Sequence, residues 1–198
     1  MYSDYTYQKR RFIMKKLLSV SLTSAILFSG VSYVAPKSAD AATNSEFNTS
    51  NKLSNYRLNV ELLKLINKER KANGVAPIKY ISDKKIKTGT NKRAEEVTKV
   101  FSHYRPDGTL FKTAFPKSVQ PIIKGENVMK RSIKSTKTPS TNEKYLAQLM
   151  FNQWKQSKDH RANMLRPTFK RSSIAMKVAY DTNKQRNYYY AVQIFTTK

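Results

Sequence analysis

The chain contains two histidines, and each lies in a short polar segment of the kind that can do chemistry. His103 lies in the segment Ser-His-Tyr-Arg-Pro-Asp-Gly, and His160 lies in Ser-Lys-Asp-His-Arg-Ala-Asn-Met-Leu. Between them in the sequence lies Glu126, in the triplet Gly-Glu-Asn. Imidazole is the side chain that changes between acid, base and metal ligand near neutral pH. These two histidines therefore mark the first places to look for a site.

Helical spacing of apolar residues predicts the elements that must position these segments. The pattern predicts helices over 55–73 and 82–100, and a third that opens at the capping box 140–143. Ser82 is the expected N-cap of the second helix. Arg70 and the neighbouring lysines lie mostly off the apolar stripe of the first helix. A short helical turn over 159–165 follows the third helix.

The rest of the chain predicts irregular segments and two strands. Two prolines and scattered aromatics favour short or irregular structure over 109–123, and 130–138 is expected to be a basic loop. Alternating apolar residues predict strands over 173–180 and 188–196, joined as an antiparallel hairpin. Helices followed by a terminal hairpin indicate an α+β domain, with the helices packed on a small sheet.

The N-terminal region has the features of a secretory signal peptide. A Lys-Lys pair after Met14 precedes an apolar stretch, and a small-x-small pattern predicts cleavage near Ala41. We expect a signal peptide over 1–41, in which 1–13 is an upstream extension, then a flexible leader over 42–54 and a folded domain over 55–198. The sequence leaves open whether Met1 or Met14 starts the protein. A retained membrane anchor is the less favoured alternative, and no second apolar span follows it.

The composition describes a basic protein without cysteine. The formal net charge is +25, and no cysteine is present. An exported chain without disulfides suits a Gram-positive bacterium, and its core alone, helped at most by a metal ion, must hold it together. The charge favours anionic partners: cell-wall polymers, an anionic lipid surface or a host surface. Nucleic acid is less favoured, because the lysines are spread over helices and loops and are not gathered with aromatic residues.

Five motifs follow one another along the chain. They are Asn67-x-x-Arg70-x-x-x-Gly74, Ser102-His103-x-Arg105-Pro106-Asp107-Gly108, Gly125-Glu126-Asn127, Trp154-x-x-Ser157-x-x-His160-Arg161-x-Asn163-Met164-Leu165 and Tyr190-Ala191-Val192-Gln193-Ile194-Phe195. In this order they resemble the CAP superfamily, also called the SCP or cysteine-rich secretory protein domain, in its bacterial form. The resemblance covers about 55–196 and implies an α-β-α sandwich with a cleft lined by two histidines and two acidic residues.

The resemblance assigns roles to the residues of this cleft. It implies that His103 and His160 are the cleft histidines and that Glu126 is the first acid. Ser157 stands where the second acid is usual in the family. Two imidazoles and a carboxylate can hold Zn²⁺ or another divalent cation, or can catalyse acid–base hydrolysis without a metal. A third reading is structural, in which Glu126 accepts hydrogen bonds that hold the loops together.

The other residues of the cleft motifs are expected to be mainly structural. Arg105 and Asp107 are expected to fix the Arg-Pro-Asp-Gly turn, with a ligand role as the alternative. Asn127 and Asn163 are expected to satisfy loop backbone groups. Arg161 can bridge to a carboxylate or to an anionic ligand, and the sequence does not separate these two roles.

These observations favour a secreted, extracellular protein that is held at the cell wall by charge and has no enzymatic activity. Its basic surface would bind the envelope or a host surface, and its cleft would hold a divalent metal ion or a small ligand. The first alternative is a metal-assisted or acid–base hydrolase, such as a peptidase, that uses His103, Glu126 and His160. The further alternative, suggested by the resemblance, is binding of a lipid or sterol.

Overall fold

The computed structural model describes residues 53–135 and 139–198, which contain four helices longer than one turn and four strands. The predicted signal peptide and most of the predicted leader lie outside the described residues. The elements in chain order are α1 (Asn55–Ala72), β1 (Lys79–Tyr80), α2 (Lys84–Lys99), 3₁₀ helices at Phe111–Ala114 and Gln120–Ile122, β2 (Ile123–Lys134), α3 (Glu143–Gln156), α4 (Lys158–Leu165), β3 (Arg171–Asp181) and β4 (Arg186–Thr196).

The four strands form one mixed sheet in the order β1-β3-β4-β2. The predicted hairpin is confirmed: β3 and β4 are antiparallel, with Ile174 opposite Gln193. The edge strand β2 is antiparallel to β4, with Glu126 opposite Ile194, and β1 is parallel to β3. Residues directly opposite each other point to the same face of a sheet, so this register decides which side chains meet.

The sheet buries a separate core against each of its faces. One core joins α1 and α3 to one face and contains the fully buried Trp154. The other joins α2 and the 3₁₀ segment to the opposite face and contains Val97, Phe115 and Val192. Helices on both sides of one sheet confirm the predicted α-β-α sandwich of the α+β class.

The predicted basic loop over 130–138 is wrong for its first part. β2 continues to Lys134, and its residues from Gly125 onward pair in register with β4. Lys130, Arg131 and Lys134 are polar and exposed, so this stretch lacks the apolar alternation of a strand. Pairing with the long hairpin, and not local hydrophobicity, extends the strand.

Two predicted helix starts move by one or two residues. The N-cap of α2 is Asp83 and not Ser82, because the Asp83 carboxylate accepts a hydrogen bond from the Ile86 amide at 3.0 Å. The N-cap of α3 is Asn142, so the predicted capping box at 140–143 is not formed. In the described part of the chain, no helix combines the length and apolar character that a membrane crossing needs.

Candidate functional site

Glu126 lies at the centre of the site, on the edge strand β2. Its side chain is buried on the sheet face that packs against α2. Arg93, in the second half of α2, donates from Nε to Glu126 Oε1 at 2.9 Å and from a terminal nitrogen to Oε2 at 3.4 Å. Glu126 Oε2 also lies 2.9 Å from Nδ1 of His103. Both carboxylate oxygens therefore have partners within the protein.

Arg93 also connects Glu126 to two further charged side chains, Glu96 and Arg105. Its other terminal nitrogen donates to Glu96 at 2.9 Å, and Glu96 also accepts a two-nitrogen contact from Arg105 at 2.8 and 3.0 Å. Burial acts to lower the pKa of Arg93, but Glu126 and Glu96 outweigh it and raise that pKa. Burial likewise acts to raise the pKa of Glu96, and Arg105 and Arg93 reverse the effect. Charges that alternate in sign stabilise each other in this dry interior.

Arg93 and Glu96 are not among the site residues predicted from the sequence. Arg93 falls on the apolar stripe of α2, where a cation needs a buried partner. Glu96 follows three residues later, at the spacing of a helical ion pair. An arginine on an inward-facing stripe with an acid one turn later was therefore the signal that was available.

The contact with Glu126 orients His103. A carboxylate that accepts from Arg93 on both oxygens can only accept from the imidazole, so Nδ1–H of His103 is the donor. The other ring nitrogen, Nε2, is then the acceptor of the neutral ring. The His103 side chain is 46% exposed, whereas Glu126 is completely buried. Glu126 thus acts as a positioning residue behind a histidine that reaches solvent.

His160 approaches from α4, beyond the outer edge of β2. Ser157 caps α4 by accepting from the His160 amide at 3.5 Å, and the Asn127 side chain donates to the His160 carbonyl at 3.2 Å. The Nδ1 atom of His160 is buried and has no hydrogen-bond partner among the described residues. Burial and, to a smaller extent, the charge of His103 lower the pKa of His160, and Asp159 opposes them.

The Arg-Pro-Asp-Gly turn has the structural role that the sequence predicts. Arg105 pairs with Asp107 at 3.3 Å and ties the turn to α2 through Glu96. Asp107 accepts hydrogen bonds from the amide and hydroxyl of Thr109 at 2.9 and 2.6 Å, and these lower its pKa. Gly108 has φ +82°, a conformation that favours glycine.

The remaining predicted site residues hold α4 against the sheet. Asn163 donates to the side-chain oxygen of Asn127 at 3.0 Å, which connects α4 to β2. Arg161 contacts a carboxylate: its terminal nitrogen lies 2.8 Å from Glu69 of α1. Glu69 also pairs with Lys155 at 2.7 Å, and the hydrogen bonds from Lys155 and Arg161 lower its pKa. Arg161 therefore braces α4 against α1, while the two asparagines fasten it to β2.

The three predicted metal ligands do not fit a three-ligand metal site. Both oxygens of Glu126 already accept hydrogen bonds, and the buried guanidinium of Arg93 beside them repels a cation. Ser157, at the position of the second acid, uses its hydroxyl as a helix cap. Within residues 53–135 and 139–198, no three His, Cys, Asp or Glu side chains are grouped to hold a metal ion.

Comparison with known proteins agrees with this architecture. Residues 63–195, about two thirds of the chain, match the family model described as CAP: Cysteine-rich secretory protein family. The chain belongs to the CAP family. This CAP domain has no cysteine, so no disulfide contributes to its sandwich. The resemblance stated from the motifs is confirmed.

Two solved structures are similar to this CAP domain. One is an outer surface protein from Borrelia burgdorferi, at 15% identity and a TM-score of 0.49, over 75% of this chain and 98% of that chain. The other is an extracellular protein containing a SCP domain from Bacillus anthracis, at 15% identity and a TM-score of 0.47, over 70% of this chain and 40% of that chain. A search of curated proteins found no match.

Proposed function

We propose that this CAP-domain protein is a secreted interaction module of the cell envelope or of a host surface, and that its histidine cleft recognises a ligand without hydrolysing it. One observation carries the proposal: both oxygens of Glu126 are bonded, to Arg93 and to His103. Acid–base hydrolysis needs both a proton acceptor and a separate proton donor. Nε2 of His103 can accept a proton from water, so the donor is the part that this carboxylate does not supply. Within the described residues, Glu126 is the only carboxylate bonded to either imidazole, and it is committed to orienting His103.

The neighbouring residues support a cleft that binds. Ser157 supplies a helix cap where the family's second acid would stand. Nε2 of the half-exposed His103 has no protein partner in the described residues and can exchange a hydrogen bond with a polar ligand. The cleft therefore supports binding of a small polar group at His103.

Secretion and an anionic partner complete the proposal. They rest on the signal-peptide pattern and on the net charge of +25. Cell-wall polymers are the partner that an exported basic protein meets first, and anionic lipid and host surfaces are the alternatives.

The test is binding and turnover in the same assay. Wild-type protein is incubated with purified cell wall and with peptide substrates, beside His103→Ala/His160→Ala. We expect wall binding that weakens with added salt, and no turnover above that of the double variant. Turnover that the double substitution abolishes would instead establish the hydrolase alternative. Binding that is indifferent to salt would contradict the electrostatic account.

A metal ion held by the two imidazoles is the second candidate. It is favoured by the buried Nδ1 of His160, which has no hydrogen-bond partner among the described residues. A pair of histidines gives fewer protein ligands than catalytic zinc sites have, so weak binding is expected. Zinc titration by calorimetry tests it: heat of binding that is equal in wild type and in His103→Ala/His160→Ala removes the candidate. The lipid or sterol alternative stays a prediction.

A further inference from the structure

The sheet face that carries Glu126 also carries a cluster of tyrosines and cations at its far end. Three rows of opposing residues extend there from β2 across β4 to β3. They are Lys130–Tyr190–Lys177, Ser132–Tyr188–Ala179 and Lys134–Arg186–Asp181. Opposing residues share a face, and so do residues two apart along a strand, so all three rows lie on the face that α2 covers elsewhere.

This cluster begins where the cover of α2 ends. The row before it, formed by Val128, Val192 and Ala175, is buried in the core beneath α2. Lys130 is exposed, and Tyr188 and Tyr190 are partly exposed. Lys130 lies four residues beyond Glu126, about 13 Å along the strand. The cluster is therefore a separate surface on the same face as the cleft.

The two tyrosines form an aromatic pair. Their ring centroids are 6.4 Å apart, and the ring planes differ by 18°. The ammonium group of Lys130 lies 5.6 Å from the centroid of the Tyr190 ring. Each tyrosine presents an apolar ring with a polar hydroxyl at its tip, which suits a ligand that has both apolar and hydroxylated parts.

The charge of this surface is positive. Lys177 pairs with Glu95 and Lys184 with Asp181, so these cations are partly neutralised. Arg186 donates to the Ser132 hydroxyl at 3.0 Å and has no carboxylate partner among the described residues. Lys130 and Lys134 likewise have no carboxylate partner within the described part of the chain. An anionic ligand therefore finds at least three uncompensated cations here.

This grouping corrects one expectation from the sequence. The lysines were expected to be spread over helices and loops, away from aromatic residues. Here, residues from three strands, far apart in the chain, are brought to one face by the sheet register. The grouping was hidden because 130–134 was expected to be a loop.

We propose that this surface binds an acidic polysaccharide chain. We call it the tyrosine platform and define it by Lys130, Lys134, Lys177, Arg186, Tyr188 and Tyr190. The apolar C–H groups of the sugars contact the edges of the tyrosine rings, the tyrosine hydroxyls bond to sugar hydroxyls, and the acidic groups pair with the lysines and Arg186. This inference rests on the proposed function and names the partner's chemistry and its place of binding.

Two observations favour a polysaccharide over single-stranded nucleic acid. Nucleic acid binds such surfaces by stacking its bases on open aromatic faces. In the tyrosine platform, the rings lie against each other and Lys130 covers one face of Tyr190. A base would have to displace that ammonium group, whereas a sugar chain can lie across the ring edges and hydroxyls with the ammonium in place.

The test compares two pairs of substitutions that remove the same charge. Lys130→Gln/Lys134→Gln removes two exposed cations of the platform, and Lys71→Gln/Lys144→Gln removes two exposed cations from α1 and α3, on the other side of the sheet. Affinity for oligogalacturonate, a defined acidic sugar chain, is measured by calorimetry at low salt. We expect the platform pair to weaken binding about tenfold and the control pair less than about twofold. Tyr188→Ser should weaken binding while the thermal midpoint shows that the protein is folded.

Further probes separate the outcomes. Neutral maltooligosaccharide should bind weakly, and oligodeoxythymidylate and phosphatidylglycerol vesicles should bind less tightly than the acidic sugar. Equal losses in the two lysine pairs would overturn the platform and leave general charge attraction. Tighter binding of the oligonucleotide or the vesicles, lost in the platform pair, would replace the polysaccharide with that ligand. Salt-sensitive wall binding that the platform pair leaves intact refutes this inference but leaves the proposed function standing; absence of wall binding in wild type refutes the proposed function.

Discussion

Arg93 and Arg70 are both completely buried, and the structure satisfies them in opposite ways. Arg93 contacts two carboxylates, Glu126 and Glu96. Arg70 contacts no carboxylate in the described residues and donates instead to four backbone carbonyls, those of Ala76, Met164, Arg166 and Phe169, at 2.6 to 3.3 Å.

This difference appears in the electrostatics of the two arginines. Burial lowers the pKa of Arg70, whereas the carboxylates beside Arg93 overcome burial and raise its pKa. Carbonyl dipoles satisfy the hydrogen bonds of a buried cation but do not cancel its charge. Arg70 therefore fastens the segment after α4 to α1, while Arg93 belongs to a charge chain that ends on the exposed imidazole of His103. Only the second arrangement can position a site.

The largest effect is expected for Arg93→Met. The substitution leaves Glu126 and part of Glu96 buried without a cation, so the free energy of unfolding should fall by about 3–5 kcal/mol near neutral pH. Protonation neutralises an abandoned carboxylate, so the loss should shrink in acid. Urea unfolding at neutral pH and at about pH 5 measures both effects. A loss that is the same at both pH values would contradict the inference that Arg93 compensates buried carboxylates.

Arg70→Met should lower the free energy of unfolding by about 2–4 kcal/mol, because it leaves four backbone acceptors without donors. No carboxylate is abandoned, so the loss should not change between neutral pH and about pH 5. The same urea experiments provide the measurement. Arg70→Lys is the matched control: it keeps the charge and can restore part of the carbonyl contacts, and its loss should be smaller. A strongly pH-dependent loss in Arg70→Met would show that a titrating group depends on Arg70.

Glu126→Gln keeps the shape of the side chain and removes its charge. Arg93 retains Glu96, so the free energy of unfolding should fall by only about 2 kcal/mol. The larger change should be in His103, because a neutral amide no longer requires Nδ1–H to be the donor. Imidazole ¹⁵N chemical shifts measure the two tautomers. If the Nδ1–H form dominates equally in the variant, Glu126 does not set the orientation of His103.

The smallest effect is expected for His160→Gln. Because burial lowers the pKa of His160 in the folded state, the unfolded chain binds the proton first as the pH falls below about 6.5. Wild-type stability should therefore decrease as the pH falls from about 7 to about 5, before the paired carboxylates titrate. The variant should lose this part of the slope. Thermal unfolding at several pH values tests it, and equal slopes in variant and wild type would contradict it.

The elements with strong local signals were predicted well. The spacing of Leu58, Leu62 and Ile66 predicted α1, whose observed span ends one residue before the predicted one. The hairpin and the α-β-α arrangement were also predicted correctly. Neither β1 nor β2 was predicted as a strand, and Lys130–Lys134 is a strand only through its partner β4. The burial of Arg70 was not predicted, since its carbonyl partners lie mostly in a segment remote in sequence.

The site was predicted in part. The motif order identified His103 and Glu126, whose Nδ1 and Oε2 atoms lie 2.9 Å apart in the structure. It also identified His160, whose pKa is lowered in part by the charge of His103. It did not identify Arg93, which is paired with the Glu126 carboxylate and so limits the chemistry of the cleft. The position of Arg93 in the sequence does not by itself show which carboxylates its side chain will contact.

The sequence by itself determined the identity of the cleft residues, the helices with clear apolar stripes and the family, because these depend on residue type and on spacing within one segment. The tertiary structure decided how the charges are paired: Arg93 with Glu126, Arg161 with Glu69, and Arg70 with carbonyls alone. It also decided that Lys130, Arg186 and the two tyrosines share one face. Electrostatic energy depends on distances of a few ångströms between segments that are far apart in the chain, and only packing and strand register set those distances.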